Sequence, residues 1–201
     1  MKPIDYIVNI EGAERRYLSQ PLEYREEGEE KRFEGYAVIF NSETDLGWFT
    51  EEIRDGAFED VMDDDVRGLF NHDPDVILGR NKSGTMKLSV DKRGVKYSID
   101  YNPNDPDHVR VMEKVKRGDV SQSSFAFGIK DAVWETRDGR DHRVITKLSR
   151  WYDVSPVTYP AYQDTTVAAR SFEQVKKENE PEDDSEEFRA EYTKKLYEIL
   201  I

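Results

Sequence analysis

The chain contains no cysteine. That removes a disulfide framework, a thiolate nucleophile and any cysteine-ligated metal centre, and it fits a reducing cytoplasm. No apolar run approaches the length that a bilayer-spanning helix requires. The opening Met-Lys-Pro-Ile-Asp-Tyr-Ile-Val-Asn-Ile is interrupted by Asp5 and followed by Glu11, unlike a secretory signal. Excess positive charge is missing as well: a net charge of -13 disfavours nucleic acid or an anionic membrane as an electrostatic partner. No Gly-x-Ser-x-Gly is present, which argues against the nucleophile elbow of α/β-hydrolases. His-x-x-x-His, His-Glu-x-x-His and calcium-loop patterns are also absent, as are internal repeats. What remains is a soluble, acidic chain of 201 residues, enough for one packed domain with ragged ends.

Three parts are expected along it: an N-terminal segment over 1–31, a domain over 32–170 and a tail over 171–201. The charged run from Glu23 to Arg32 reads as a solvated linker. The centre reads mostly as strand. Phe33 to Phe40 is aromatic and β-branched. Met86, Leu88 and Val90 alternate with polar residues, as do Val95, Tyr97, Ile99 and Tyr101, so Asp91-Lys-Arg-Gly94 joins a hairpin. Thr136-Arg-Asp-Gly139 punctuates a second hairpin between Ile129–Trp134 and His142–Leu148. Short helices are expected at Gly56–Met62 and over Asp107–Arg117, the latter capped by Asp107, stopped by Gly118 and facing inward with Val109, Met112 and Val115. Strands with tight turns and few helices predict a mainly antiparallel sheet or barrel with peripheral helices. In the tail, Glu173–Glu187 is heavily acidic. Phe188, Tyr192, Leu196 and Leu200 then recur every four residues, the mark of an amphipathic helix.

Three segments hold the residue types of a serine hydrolase: a nucleophile, a base and an anion that orients it. His72 follows the short strand Val66–Phe70 and precedes Pro74, where a strand runs into a turn; position alone favours a loop histidine solvated on one side. Ser121, Ser123 and Ser124 open the apolar run Phe125-Ala-Phe127. Strand parity puts 122 and 124 on one face and 121, 123 and 125 on the other, so Ser123 and Ser124 cannot share a site. Asp153 lies in the strand-like Leu148–Thr158, as a wet edge charge, a partner of Arg150 or a functional carboxylate. His108 and His142 read as ordinary surface residues. His72, Asp73 and Asp75 offer a weaker hard-cation alternative, without the glycine a calcium loop needs.

Several segments, in order, resemble the tailed-phage prohead (capsid maturation) serine proteases. They are Gly35-Tyr-Ala-Val-Ile-Phe-Asn41, Gly56-Ala-Phe58, Leu69-Phe-Asn-His-Asp73 with Leu78-Gly-Arg80, Gly84-Thr-Met-Lys-Leu with Gly94-Val, Ser124-Phe-Ala-Phe127 and Asp153-Val-Ser-Pro-Val-Thr-Tyr-Pro-Ala161. The resemblance implies a serine endopeptidase related in fold to the herpesvirus maturation proteases: a mostly antiparallel β-barrel ringed by helices. It carries the base onto His72 and the nucleophile onto Ser124. The third member falls on Asp153, where the family often has Glu; Asp is one methylene shorter, so either the backbone comes closer or the support is less direct. The herpesvirus enzymes use a second histidine there, and neither His108 nor His142 sits in a matching motif.

No cofactor and no metal are implied. The implied substrates are scaffold or delta-domain segments of the major capsid protein, and the protease itself, inside the immature capsid in the host cytoplasm. Homo-oligomerisation is open. Met1 and the acidic tail fit an untrimmed precursor. A non-catalytic capsid-assembly protein that keeps the fold is the rival reading, favoured by the Glu-to-Asp departure and opposed by three competent residues at the three positions.

Overall fold

The computed structural model describes residues 13–159 except 19, 20, 28, 29 and 48. The expected helix in the acidic tail therefore lies outside the described residues. Among the described residues eleven strands are formed: β1 (Glu14–Leu18), β2 (Glu23–Glu27), β3 (Glu30–Ile39), β4 (Thr44–Asp45), β5 (Thr50–Ile53), β6 (Arg67–Phe70), β7 (Asp73–Arg80), β8 (Met86–Val90), β9 (Gly94–Asp100), β10 (Gln122–Arg137) and β11 (Arg140–Val157). Helix α1 (Pro106–Lys116) connects β9 to β10. The order in one sheet is β1-β10-β11-β5-β4, with β6 pairing β11 and β7; the second sheet is β2-β3-β9-β8. The fold is thus mainly β and mostly antiparallel, with β5 and β6 running parallel to β11. No strand pairing among the described residues closes either sheet into a ring.

Both expected hairpins form, the second much longer than its apolar core suggested. Asp138 and Gly139 sit at φ 50° and 79°, the left-handed pair that a two-residue type I′ turn demands. The β8–β9 hairpin buries Met86, Val95, Tyr97 and Ile99. These pack in one core with Phe125, Phe127, Leu148, Trp151 and Val154 of the other sheet. Gly94 closes that hairpin where a Cβ would lie 1.9 Å from the Val38 carbonyl oxygen. Gly94→Ala is therefore expected to cost about 3 kcal/mol, as overpacking against backbone does, read as a lowered urea midpoint.

Several expectations are corrected. The run Glu23–Arg32 is a hairpin of β2 with β3, not a linker. Opposite charges on neighbouring positions (Arg25 with Glu34 at 3.0 Å, Lys31 with Glu26 at 3.2 Å) let a charged stretch pair as strand on the wet side. With β1 on β10 and β2 on β3, residues before 32 enter the sheets. Only a single 3-10 turn, Glu59–Val61, forms within Gly56–Met62. The cap of α1 is Asp105, whose carboxylate accepts the Asp107 N–H at 2.9 Å, because Pro106 takes the first helical position. The helix buries His108, Val111, Met112 and Val115 and leaves Val109 exposed. Lastly, His108 and His142 are buried, since charged sequence neighbours do not report which face a side chain takes. His108 lies near Phe33 and Tyr101, and burial pushes its pKa down. His142 Nδ1 is 2.6 Å from Thr50 Oγ1.

Candidate active site

Neighbouring strands converge on one point. In the β10–β11 ladder Ser124 stands opposite Ser155 and Ala126 opposite Asp153. Period-two alternation therefore puts Ser124, Ser155 and Asp153 on one face. β6 runs parallel alongside, with Arg67 paired to Asp153 and Gly68 to Val154. The chain leaves β6 through Asn71 and His72, both left-handed at φ 56° and 58°, and turns back into β7. That conformation costs a non-glycine residue about 1 kcal/mol and persists only where its surroundings hold it. They do here. The Asn71 N–H donates to the Pro156 carbonyl at 3.0 Å, the Thr158 N–H to Asn71 Oδ1 at 2.8 Å, and the His72 N–H to Ser155 Oγ at 3.2 Å.

The turn delivers the His72 ring between the other two side chains. His72 Nδ1 is 2.6 Å from Asp153 Oδ1, and Nε2 is 2.7 Å from Ser124 Oγ. A carboxylate only accepts, so Nδ1 carries the proton and donates it to Asp153; this leaves the Nε2 lone pair facing the serine hydroxyl. All three residues are buried, Ser124 completely. The shorter Asp side chain reaches His72 directly because the parallel β6–β11 pairing brings the turn close. The Asp153 carboxylate bonds to His72 and Ser155, while Arg150 lies toward Asp64 at 3.9 Å. Strand parity also holds: Ser123 faces away, its hydroxyl 2.6 Å from Tyr97 Oη. Ser121 is exposed. Asp73, offered with His72 and Asp75 as a cation set, accepts the Asp75 N–H at 2.9 Å, while both His72 ring nitrogens face Asp153 and Ser124.

Sequence reasoning missed Ser155. Its hydroxyl donates to Asp153 Oδ1 at 3.0 Å while accepting the His72 N–H, so it ties carboxylate and imidazole together. The available signal was its position two residues past Asp153 on the same strand face.

A group of this kind does acyl transfer: the imidazole takes the hydroxyl proton as Oγ attacks a carbonyl, and the carboxylate stabilises the imidazolium. The family model for the caudovirus prohead serine proteases matches residues 20–178. No curated protein matches the chain. Among solved structures, the bacteriophage T4 capsid assembly protease gp21 aligns at 14% identity and a TM-score of 0.48, covering 74% of this chain and 98% of that one.

Proposed function

The chain belongs to the caudovirus prohead serine protease family, and from that premise we propose that Ser124, His72 and Asp153 are its catalytic triad. The observation that carries this is the continuous relay from Asp153 through His72 to Ser124, with links of 2.6 and 2.7 Å. Ser124 Oγ attacks the scissile carbonyl as its proton passes to His72 Nε2. The tetrahedral intermediate collapses to a Ser124 acyl-enzyme as that proton passes to the leaving amine, and water repeats the sequence to release the acid. No metal or cofactor enters these steps. A fluorophosphonate probe tests the assignment: its adduct should map to Ser124, and an adduct on Ser121 or Ser123 in its place would refute it.

Ser155 acts through its neighbours. Ser155→Ala is expected to lower kcat by roughly tenfold with KM nearly unchanged, the loss seen when a charge-assisted hydrogen bond orienting the carboxylate is removed. Steady-state kinetics on a cleavable peptide would check it, and Ser155→Thr, which keeps the hydroxyl, should recover most of the rate.

As substrates we propose scaffold or delta-domain segments of the major capsid protein and the chain itself, inside the immature capsid. A herpesvirus-like barrel and a protease domain over residues 32–170, extended by β1 and β2, belong to the same reading. The acidic residues 171–201 would dock the enzyme to scaffold or capsid. Deleting 174–201 should then abolish packaging into proheads and spare peptide cleavage; unchanged packaging on gels of purified proheads would contradict it.

A further inference from the structure

The strand that buries the Ser124 hydroxyl is β1. Tyr17 stands opposite Ser124 in the β1–β10 ladder, and Ser124 Oγ donates to the Arg16 carbonyl oxygen at 2.9 Å. A serine hydroxyl has one proton. Two acceptors contend for it, His72 Nε2 at 2.7 Å and the Arg16 carbonyl at 2.9 Å. General-base catalysis needs the proton on the line to Nε2. With β1 in place the nucleophile is both covered and partly diverted, and no substrate carbonyl can reach it.

Among the described residues β1 is an edge strand whose ladder partner is β10. Its side chains at 14 and 16 point away from the Ser124 face into a buried cluster of four charges. Arg16 Nε donates to Glu51 Oε1 at 2.6 Å, and Arg16 also pairs with Glu14. Arg143 donates to Glu14 Oε2 at 2.7 Å. Burial alone would raise the Glu14 pKa, but Arg16 and Arg143 outweigh it and hold the carboxyl below its ordinary range, so Glu14 is ionised at neutral pH. Glu51 and Arg143 are also bonded to each other, Nε to Oε2 at 2.6 Å. Departure of β1 therefore leaves a matched buried pair, and avoids the penalty of an uncompensated charge.

Resting on the Ser124 reading, we propose that β1 is an internal peptide seated where a substrate strand binds. A protein substrate adds to the β10 edge in its place. Glu51 and Arg143 then select a segment with an acidic and a basic residue two positions apart, as Glu14 and Arg16 are, with the basic residue's carbonyl delivered to Ser124. Until β1 leaves, the enzyme is latent.

The test is the rate at which a fluorophosphonate labels Ser124 in the full chain and in a double variant, Glu14→Gln with Arg16→Met, which loosens β1 and leaves Glu51 paired to Arg143. The variant should label about tenfold faster or more, since reaction is gated by local opening. A synthetic peptide of residues 12–19 should slow it again, whereas the same peptide with alanine at 14 and 16 should not. Labelling of the full chain as fast as the variant, or indifference to the peptide, would overturn the proposal while leaving the triad standing. Absence of labelling in both folded proteins would count against the triad itself. Hydrogen exchange on the unaltered chain is independent of whether the variant folds: β1 amides should exchange well before those of the β10–β11 hairpin, and equal protection would also overturn the proposal.

Discussion

Ser124→Ala is expected to lower kcat/KM on a capsid-precursor peptide by on the order of 10⁶-fold, leaving only the residual catalysis that binding and fixed dipoles supply. That loss corresponds to about 8 kcal/mol of transition-state stabilisation. It is so large because, on the proposed assignment, the oxygen removed is the atom that forms the acyl bond, and Ser123 does not replace it, since it faces Tyr97 on the other side of the sheet. The substitution deletes one fully buried oxygen and its hydrogen bonds to His72 and the Arg16 carbonyl. The protein should therefore fold and melt much like the parent. A capsid-assembly role without proteolysis would survive this change unaltered. Thermal melts alongside peptide kinetics separate the two.

Asp153→Asn is expected to reduce kcat by on the order of 10⁴-fold with little change in KM. The amide is nearly the same size and fits the same buried site, so packing is preserved. Its NH₂, however, donates where the carboxylate accepted, which favours the His72 tautomer protonated on Nε2. That tautomer cannot take the Ser124 proton, and the imidazolium loses its counter-charge. Proton NMR of the His72 ring should show the proton on Nδ1 in the parent and on Nε2 in the variant. A variant with near-parental kcat would remove Asp153 from the triad and leave it a buried structural carboxylate.

What could be read in the sequence was local. Alternation at Met86–Tyr101 and the turn at Asp91–Gly94 specify a hairpin because both signals lie within a few residues. Strand parity separated Ser123 from Ser124 for the same reason. The environment of Asp153 was not legible, because it depends on a parallel pairing with β6, more than eighty positions away along the chain. His108 and His142 were misjudged on the same grounds: each follows an aspartate in the sequence, while their neighbours in space include Phe33, Tyr101 and Thr50. The charged run Glu23–Arg32 hid a hairpin, since its stabilising pairs form only across the ladder. The β1 cover over Ser124 was the least accessible feature, because the Ser124–Arg16 hydrogen bond spans 108 positions. Asp105 is the exception. Its cap was legible from Asp-Pro alone, had the proline been taken as the first helical residue.

The most direct measurement is a time course of intact masses for the parent chain and Ser124→Ala, each incubated with the capsid precursor proposed as substrate. Discrete fragments of the precursor, appearing with the parent and absent with the variant, are the predicted result. Stable masses in both mixtures, or the same fragments in both, would contradict the assignment of a serine protease with Ser124 as its nucleophile.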